Sequence, residues 1–459
     1  MSDTPGRLRP FPLVEGDAAF ARLDADISRP LESFPTARWW IAFILSGLLA
    51  LYLLFCLAVT VLYGIGTWGV NIPVGWGFAI TNFVFWIGIG HAGTLISAIL
   101  YLLRQRWRTG VSRFAEAMTI FAVICAGIFP LIHTGRPWLA WYWLFPLPNQ
   151  NHVWINFRSP LCWDIFAVST YFTVSLLFWY TGLLPDLATV RDRARHPLRK
   201  AIYGLLSLGW TGSARAWAHY ESAYLLFAGL ATPLVLSVHS IVSFDFSVSV
   251  LPGWHSTIFP PYFVAGAIFS GLAMVAMCLI VMRRMFRLQR LITTNHVEVL
   301  GKLIVVTALM VSYAYAIEAF IAWYSGSAVE RFVMMNRAFG PYAWAFWIMI
   351  ACNVAFPQLF WIRRVRRNLW CVFPIVVFVN VGMWLERFVI VVTSLHRDFI
   401  PSMWRMYAPT WVDYGLLLGS FGLFFTLLLL FCRFLPAITI SELKNALVQS
   451  RDAGGWRHD

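Results

Sequence analysis

Ten stretches of this chain are apolar over the length that a bilayer demands. They fall at residues 39–63, 76–103, 112–133, 161–184, 220–243, 261–282, 301–325, 341–361, 370–395 and 411–432. A helix needs about 20 such residues to cross the hydrocarbon core, and each stretch meets that length. The connections between them are too short to hold a soluble domain. Of the 459 residues, 59% are hydrophobic and only 12% charged, and the mean hydropathy is +0.69. That is too little polar surface to cover a soluble globule of this size. The fold class expected is therefore an all-α integral membrane protein of ten transmembrane helices. The first 38 residues are polar and contain no short apolar core with a small-residue cleavage site, so the first span reads as a retained anchor, not a cleaved signal peptide.

The formal net charge is +14, but its distribution argues against nucleic acid as a partner. Arg7, Arg9, Arg22, Arg29 and Arg38 precede span one, whereas the next connection, GIGTWGVNIPVG, has no Lys or Arg. Arg104, Arg106, Arg108 and Arg113 lie between spans two and three, and Arg191, Arg193, Arg195, Arg199, Lys200 and Arg215 between four and five. Arg283, Arg284, Arg287 and Arg290 follow span six, and Arg363, Arg364, Arg366 and Arg367 follow span eight. The alternate connections are poor in both residues. By the positive-inside rule both termini are expected in the cytoplasm, with the 134–160 segment outside.

Cys56, Cys125, Cys162, Cys278, Cys352, Cys371 and Cys432 are scattered singly in or beside the spans, without CxxC, CxxCH or ferredoxin spacing. They read as small buried hydrophobes, and the chain shows no motif for an iron–sulphur cluster or covalently attached haem. Haem held between two histidines on facing helices stays open, because His91, His133, His219 and His239 lie in or at the ends of spans.

The order of spans divides the chain. Residues 1–38 form a cytoplasmic segment, 39–75 the first helix and its outer loop, and 76–243 a four-helix bundle. Residues 244–395 form a second four-helix bundle, and 396–459 the last helix and a cytoplasmic tail. Helices 2–5 and 6–9 are thus two bundles flanked by helices 1 and 10. GHAGTLISAILYLLRQRW in span two shows a faint likeness to FSGLAMVAMCLIVMRRMF in span six. Gly88, Ala92, Gly93 and Ser97 place small residues along span two, where backbones can approach closely.

Packing does not explain ionisable groups at membrane depth, which are costly unless they face the protein interior and find partners. His91 lies in mid-span two and Glu116 near the inner end of span three. His239 and Asp245 lie towards the outer end of span five, Tyr313, Tyr315 and Glu318 in span seven, and Asn380, Glu386 and Arg387 in span nine. Neighbouring Glu386 and Arg387 point to different helix faces, so each is expected to find its partner on another helix. Interhelical hydrogen bonding and a proton route compete as readings of all these groups.

The segment HTGRPWLAWYWLFPLPNQNHVWINFRSPLCWD opens on His133 and closes on Asp164. Span three ends outside at the imidazole and span four begins outside with the carboxylate. Oxidation of a quinol releases two protons with two electrons, and these groups are suitable proton acceptors on either side of a flat ring. Trp138, Trp141, Trp143, Trp154 and Trp163 either line such a slot or form an aromatic belt at the interface.

GHAGTLISAILYLLRQRWR, HTGRPWLAWYWLFPLPNQ, FRSPLCWDIFAVSTYFTVSLLFWYTGLLPDLATVRDRA and SVHSIVSFDFS resemble the NrfD-like polysulphide-reductase membrane subunits, and within them those of bacterial alternative complex III. The likeness covers about residues 39–432. It implies a menaquinol or ubiquinol oxidoreductase in the bacterial cytoplasmic membrane, with His133 and Asp164 as the quinol-site pair and Arg136, Trp163 and Arg387 as secondary quinol contacts. It also implies site or proton-route positions at His91, His239, Asp245 and Glu386; Glu116, Tyr313, Tyr315 and Glu318 join the proton route by their depth alone. The partners implied are an outer-face iron–sulphur protein, a multihaem cytochrome c, a homologous second membrane subunit and a terminal oxidase. Lipids complete the surroundings, and no metal or haem is expected in this chain itself.

Three function classes follow. The first is a quinol-oxidising subunit. The second is a quinone-reducing membrane anchor of a polysulphide or molybdopterin-type oxidoreductase, which uses the same acid–base pair in reverse. The third is a secondary transporter, which would favour interrupted helices meeting at the midplane; Pro233 offers one kink in span five without a matching break elsewhere.

Overall fold

Each apolar stretch folds as one long helix in the computed structural model, which describes residues 13–14, 19–135, 137–139 and 157–453. Spans one to five are Ala37–Tyr63, Phe78–Leu102, Ser112–His133, Pro160–Arg193 and Ala214–Ser247. Spans six to ten are Phe259–Met285, Thr294–Tyr324, Ala343–Trp361, Leu369–Leu395 and Trp411–Phe434. With no strand among the described residues, the chain is an all-helical, multi-pass integral membrane protein. Spans four, five and seven run beyond the apolar stretches because their polar ends stay helical, carrying Arg191 and Arg193 in one case and Thr294 to Leu300 in another.

Two spans are interrupted internally. Span two changes to a π-helix over Leu95–Ile99, and span eight passes through a π-helix at Ala351–Ala355 into a 3₁₀ turn at Phe356–Trp361. The Pro233 kink expected in span five does not break that helix. Proline in a span is tolerated when neighbouring groups satisfy the freed carbonyl.

Span two packs on three, and four on five. Span six packs on five, seven and nine, and eight on nine. The resulting four-helix groups, spans two to five and six to nine, meet where spans two and six run together. Small residues serve this contact, since a Cβ at Gly271 of span six would strike Ala92 of span two, and they also close span two on span three, where a Cβ at Gly93 would strike Thr119 and Ala115. Spans one and ten lie against each other outside the groups. Their seam is closed by Gly415, Gly419 and Gly422, where added methyls would run into Cys56, Leu53 and Leu49. The opposite side of span one exposes Ile41, Ile44, Leu48, Leu51 and Phe55, an apolar surface suited to lipid.

Shorter elements tie the ends. Helix Phe20–Glu32 precedes span one, Pro197–Leu206 lies between spans four and five, Ala328–Phe339 between seven and eight, and Ile440–Ala453 follows span ten. Asp413 caps span ten through the Thr410 amide at 2.8 Å and also accepts from the Gly69 amide at 2.8 Å, fixing the span one to two connection. Six of the seven cysteines are buried and Cys371 is half-buried; all are unbridged.

Candidate functional site

Span three ends at His133, and its imidazole meets the edge of Trp76 with ring centroids 6.0 Å apart. Trp76, just before span two, stacks on Trp254 at 5.6 Å and touches Phe246 at 5.8 Å. Trp254 belongs to the connection between spans five and six. Its indole N–H donates to the Ile390 carbonyl of span nine at 2.6 Å. Just before it, Gly253 turns at φ +79°, where a Cβ would collide with Val333. Its amide donates to Glu330 at 3.0 Å and its carbonyl accepts from Arg337 at 3.0 Å. Arg337 is held in turn by Glu318 and by Ser394 at 3.1 Å. The aromatic wall beside His133 is thus anchored on the second four-helix group.

Asp164 lies in the second turn of span four and is 8% exposed. Its carboxyl meets that of Asp245 from span five within hydrogen-bonding reach, while one oxygen of each is buried without a donor. Two carboxyls share a hydrogen bond only when one carries a proton. Asp245 adjoins Phe246, so the acid pair and the aromatic cluster of His133 border the same end of the spans. Asp164 therefore faces Asp245, while His133 meets Trp76.

A second polar layer lies at mid-depth, where the two groups meet. His91 donates from Nδ1 to the Ile87 carbonyl at 2.6 Å, one turn back on its own helix. Its ring stacks on Tyr171 at 5.3 Å and meets His239 edge-on at 4.6 Å. Neither ring nitrogen of His239 has a hydrogen-bond partner. Tyr171 donates to the Gly90 carbonyl at 2.9 Å and shares a hydrogen bond with Thr94 at 2.8 Å. Across the interface Arg387 lies over Phe263, 4.5 Å from the ring centroid. It pairs with its neighbour Glu386. Each has a partner on another helix, Phe263 of span six for Arg387 and Tyr315 of span seven for Glu386, and beyond that expectation the long arginine side chain also folds back onto the adjacent carboxylate, with Gly266 of span six leaving space for both. Glu386 also accepts from Tyr315, whose hydroxyl receives Asn353 of the span eight π-turn at 2.8 Å.

The third layer is at the arginine-rich end. Buried Arg113 contacts Glu116 at 3.0 Å, the Gly182 carbonyl at 2.5 Å and Asp186 at 3.3 Å. Tyr224 donates to the other Glu116 oxygen at 3.0 Å. The last helix closes over this cluster, since the Ser441 amide and hydroxyl reach Asp186 at 3.0 and 2.9 Å and Glu442 pairs with Arg108 at 2.9 Å.

The remaining expected residues are placed apart. Tyr313 is 64% exposed on the outside of span seven, and Glu318 is committed to Arg337. Trp163 is exposed, its N–H given to the Phe157 carbonyl at 2.6 Å. Arg136, Trp141, Trp143 and Trp154 lie outside the described residues. The sequence alone did not single out Arg113, Asp186, Tyr171, Tyr224, Trp76, Trp254 and Arg337. Arg113 was absorbed into the topology signal, Asp186 and Arg337 stood outside any pattern, and the aromatics had no distinguishing pattern among so many. Beyond the spans, burial pushes His396 down to about 4. Its Nδ1 lies 3.2 Å from the Val392 carbonyl, which leaves Nε2 to accept from Asn336 at 3.5 Å.

Comparison with known proteins places these residues in context. The model of a family described as polysulphide reductase, NrfD, matches residues 68–397. A protein of Halobacterium salinarum named as a dimethyl sulfoxide reductase membrane subunit is 29% identical over 55% of this chain and 54% of its own length. The Hdr-like menaquinol oxidoreductase integral membrane subunit of Archaeoglobus fulgidus is 23% identical over 63% of this chain and 62% of its own. A selenate reductase subunit of Mesobacillus selenatarsenatis is 23% identical over 44% and 46%. The chain thus spans about half the length of the curated relatives it matches.

Proposed function

The chain belongs to the polysulphide reductase NrfD family, and from that premise we propose that it is the quinol-oxidising membrane subunit of a respiratory complex of the alternative complex III kind. The observation that carries this reading is the Asp164–Asp245 pair buried beside the Trp76, Trp254 and Phe246 cluster that His133 joins. A quinol, QH2, gives Q, two electrons and two protons. An acid pair that already shares one proton has capacity for one more, and the neutral His133 imidazole takes the other. The aromatic rings provide flat apolar surface for the quinone ring.

The electrons pass to carriers in partner subunits, an outer-face iron–sulphur protein and a multihaem cytochrome c, beside a homologous second membrane subunit and a terminal oxidase. Menaquinol is favoured as substrate by the name of the Archaeoglobus relative. The His133 end faces outwards and both termini face the cytoplasm, following the arginine distribution. Protons also move from the cytoplasmic side past Glu116 and His91 towards Asp164. Arg387, Glu386, His239 and Tyr315 belong to the mid-depth layer of that route.

Two of the relatives carry the names of reductase subunits, which favours a second reading. There the same pair donates protons to quinone while electrons arrive from a partner dehydrogenase. The test is made on the purified complex carrying Asp164→Asn or His133→Leu, with quinol oxidation and quinone reduction assayed separately. Assembly stays intact and the working direction is lost in each variant. Wild-type turnover in both variants would overturn the site.

A further inference from the structure

A cavity of about 540 Å³ opens at the arginine-rich end, between helix Phe20–Glu32 and the last residues of span four. Its volume is within the roughly 300–1,000 Å³ of small-ligand pockets. It is lined by Ser28, Arg29, Glu32, Ser33, Arg193 and Arg195. Arg193 contacts Asp24 at 2.9 Å and Arg29 pairs with Asp26. Each guanidinium has five N–H donors, so these pairs leave others to spare. Arg195 and Glu32 form no ion pair among the described residues. Ser28 is 4% exposed, and its hydroxyl has no hydrogen-bond partner. A buried hydroxyl left without a partner in a wall of guanidinium groups calls for an acceptor from outside the chain.

The cavity is flanked by apolar side chains that no described part of the protein covers. Phe34, between helix Phe20–Glu32 and span one, is 95% exposed. On the other side, helix Pro197–Leu206 turns Leu198, Ile202 and Leu205 outwards at 63%, 47% and 77% exposure. Their spacing of four and three residues makes one face. The opposite face is pinned by Tyr203 to the Phe434 carbonyl at 2.8 Å and by Arg199 to the Leu31 carbonyl at 2.8 Å. A helix held this way, directly after a membrane span, lies in the interface with its apolar face in the acyl boundary.

We propose that this cavity holds the headgroup of a phosphatidylethanolamine-type phospholipid, the phosphate against Arg29, Arg193, Arg195 and Ser28 and the ammonium against Glu32. Guanidinium groups match phosphate in charge and geometry. The carboxylate of Glu32 selects the headgroup, because it repels a purely anionic one and hydrogen-bonds to a primary ammonium but not to a quaternary one. The acyl chains run along Phe34 and the Leu198 face. None of this depends on the direction or identity of the redox reaction.

The experiment uses the intact complex in mild detergent, with bound lipid counted by native mass spectrometry. Dioleoyl-phosphatidylethanolamine, -phosphatidylglycerol and -phosphatidylcholine are offered in turn, and O-phosphoethanolamine serves as a headgroup without chains. The wild type retains phosphatidylethanolamine over the other two lipids. Arg195→Gln and Ser28→Ala lower that retention, the first by about tenfold, and Glu32→Gln shifts the preference towards phosphatidylglycerol. The melting temperature without added lipid stays the same in Arg195→Gln and Glu32→Gln. Equal retention of the three lipids by the wild type overturns the proposal. So does unchanged retention in Arg195→Gln and Glu32→Gln, or binding of O-phosphoethanolamine as tight as that of the lipid.

Discussion

At the residue scale, the decisive contact is the carboxyl of Asp245 against that of Asp164. Replacing Asp245 by Asn keeps a hydrogen bond, since the amide N–H donates to Asp164, but removes the second carboxylate. The expected outcome is a normally assembled complex whose kcat for quinol falls by about 100-fold, the lower range for losing an acid–base partner, with KM near that of the wild type. Steady-state kinetics on the purified variant check this, and wild-type kcat would mean that Asp164 acts without the pair. His133 and Asp164 were legible because each is a titratable group at the boundary of an apolar stretch, beside a segment dense in tryptophan. Their relation was not legible. Sequence alone gives no register between spans four and five, so Asp245 was read only as a site or proton-route position and not as the partner of Asp164. For Glu386 and Arg387 the need for partners on other helices was legible, but their pairing with each other was not, because helix-face arithmetic ignores the reach of an arginine that can curl back on its neighbour.

At the scale of elements, the ten apolar stretches carried the fold class and all ten spans, since the length needed to cross a bilayer is a strong signal. What they could not give is the interruption of spans two and eight, where π-turns arise from packing and carry no composition of their own. The connection between spans five and six was equally silent. Its Gly253 turn and Trp254 depend on Glu330 and Arg337, residues from a helix far along the chain. Trp254→Phe keeps the aromatic wall beside Trp76 and loses only the bond to the Ile390 carbonyl. It is expected to raise KM for quinol about 2–10-fold, the worth of one hydrogen bond, while kcat stays unchanged because the indole takes no proton. A fall in kcat alone would assign Trp254 a different role. The seam of spans one and ten yields a purely structural expectation. A side chain at Gly419 would start within 2.5 Å of Leu53, so Gly419→Leu should cost about 1–3 kcal/mol and lower the melting temperature in detergent, with quinol turnover per folded complex retained.

For the whole molecule, the three polar layers decide whether chemistry at one end can move protons across the membrane. Tyr171 lies two turns after Asp164 on the inward stripe of span four, which joins the His133 end to the His91 layer through one helix face. Towards the arginine-rich end the stripe runs through buried Ser175 to Phe178. Phe178 packs on Tyr224 with ring centroids 4.5 Å apart, and Tyr220, Ala98, Ala228 and Ala231 complete this buried cluster. Glu116 itself is engaged by Arg113 and Tyr224 beneath the last helix. A proton arriving from that side must cross the Phe178 layer before it reaches His91, whereas a quinol proton released at Asp164 need not. The two processes therefore separate by mutation. His91→Leu, with the complex reconstituted in sealed vesicles, is expected to oxidise quinol at close to the wild-type rate and to move fewer protons per electron, because His91 packs on Tyr171, two turns along span four from Asp164. Asp164→Asn loses both activities together. A proton-to-electron ratio unchanged in His91→Leu would reduce the mid-depth histidines to packing between the groups, and would leave the acid pair at the His133 end to release its protons locally.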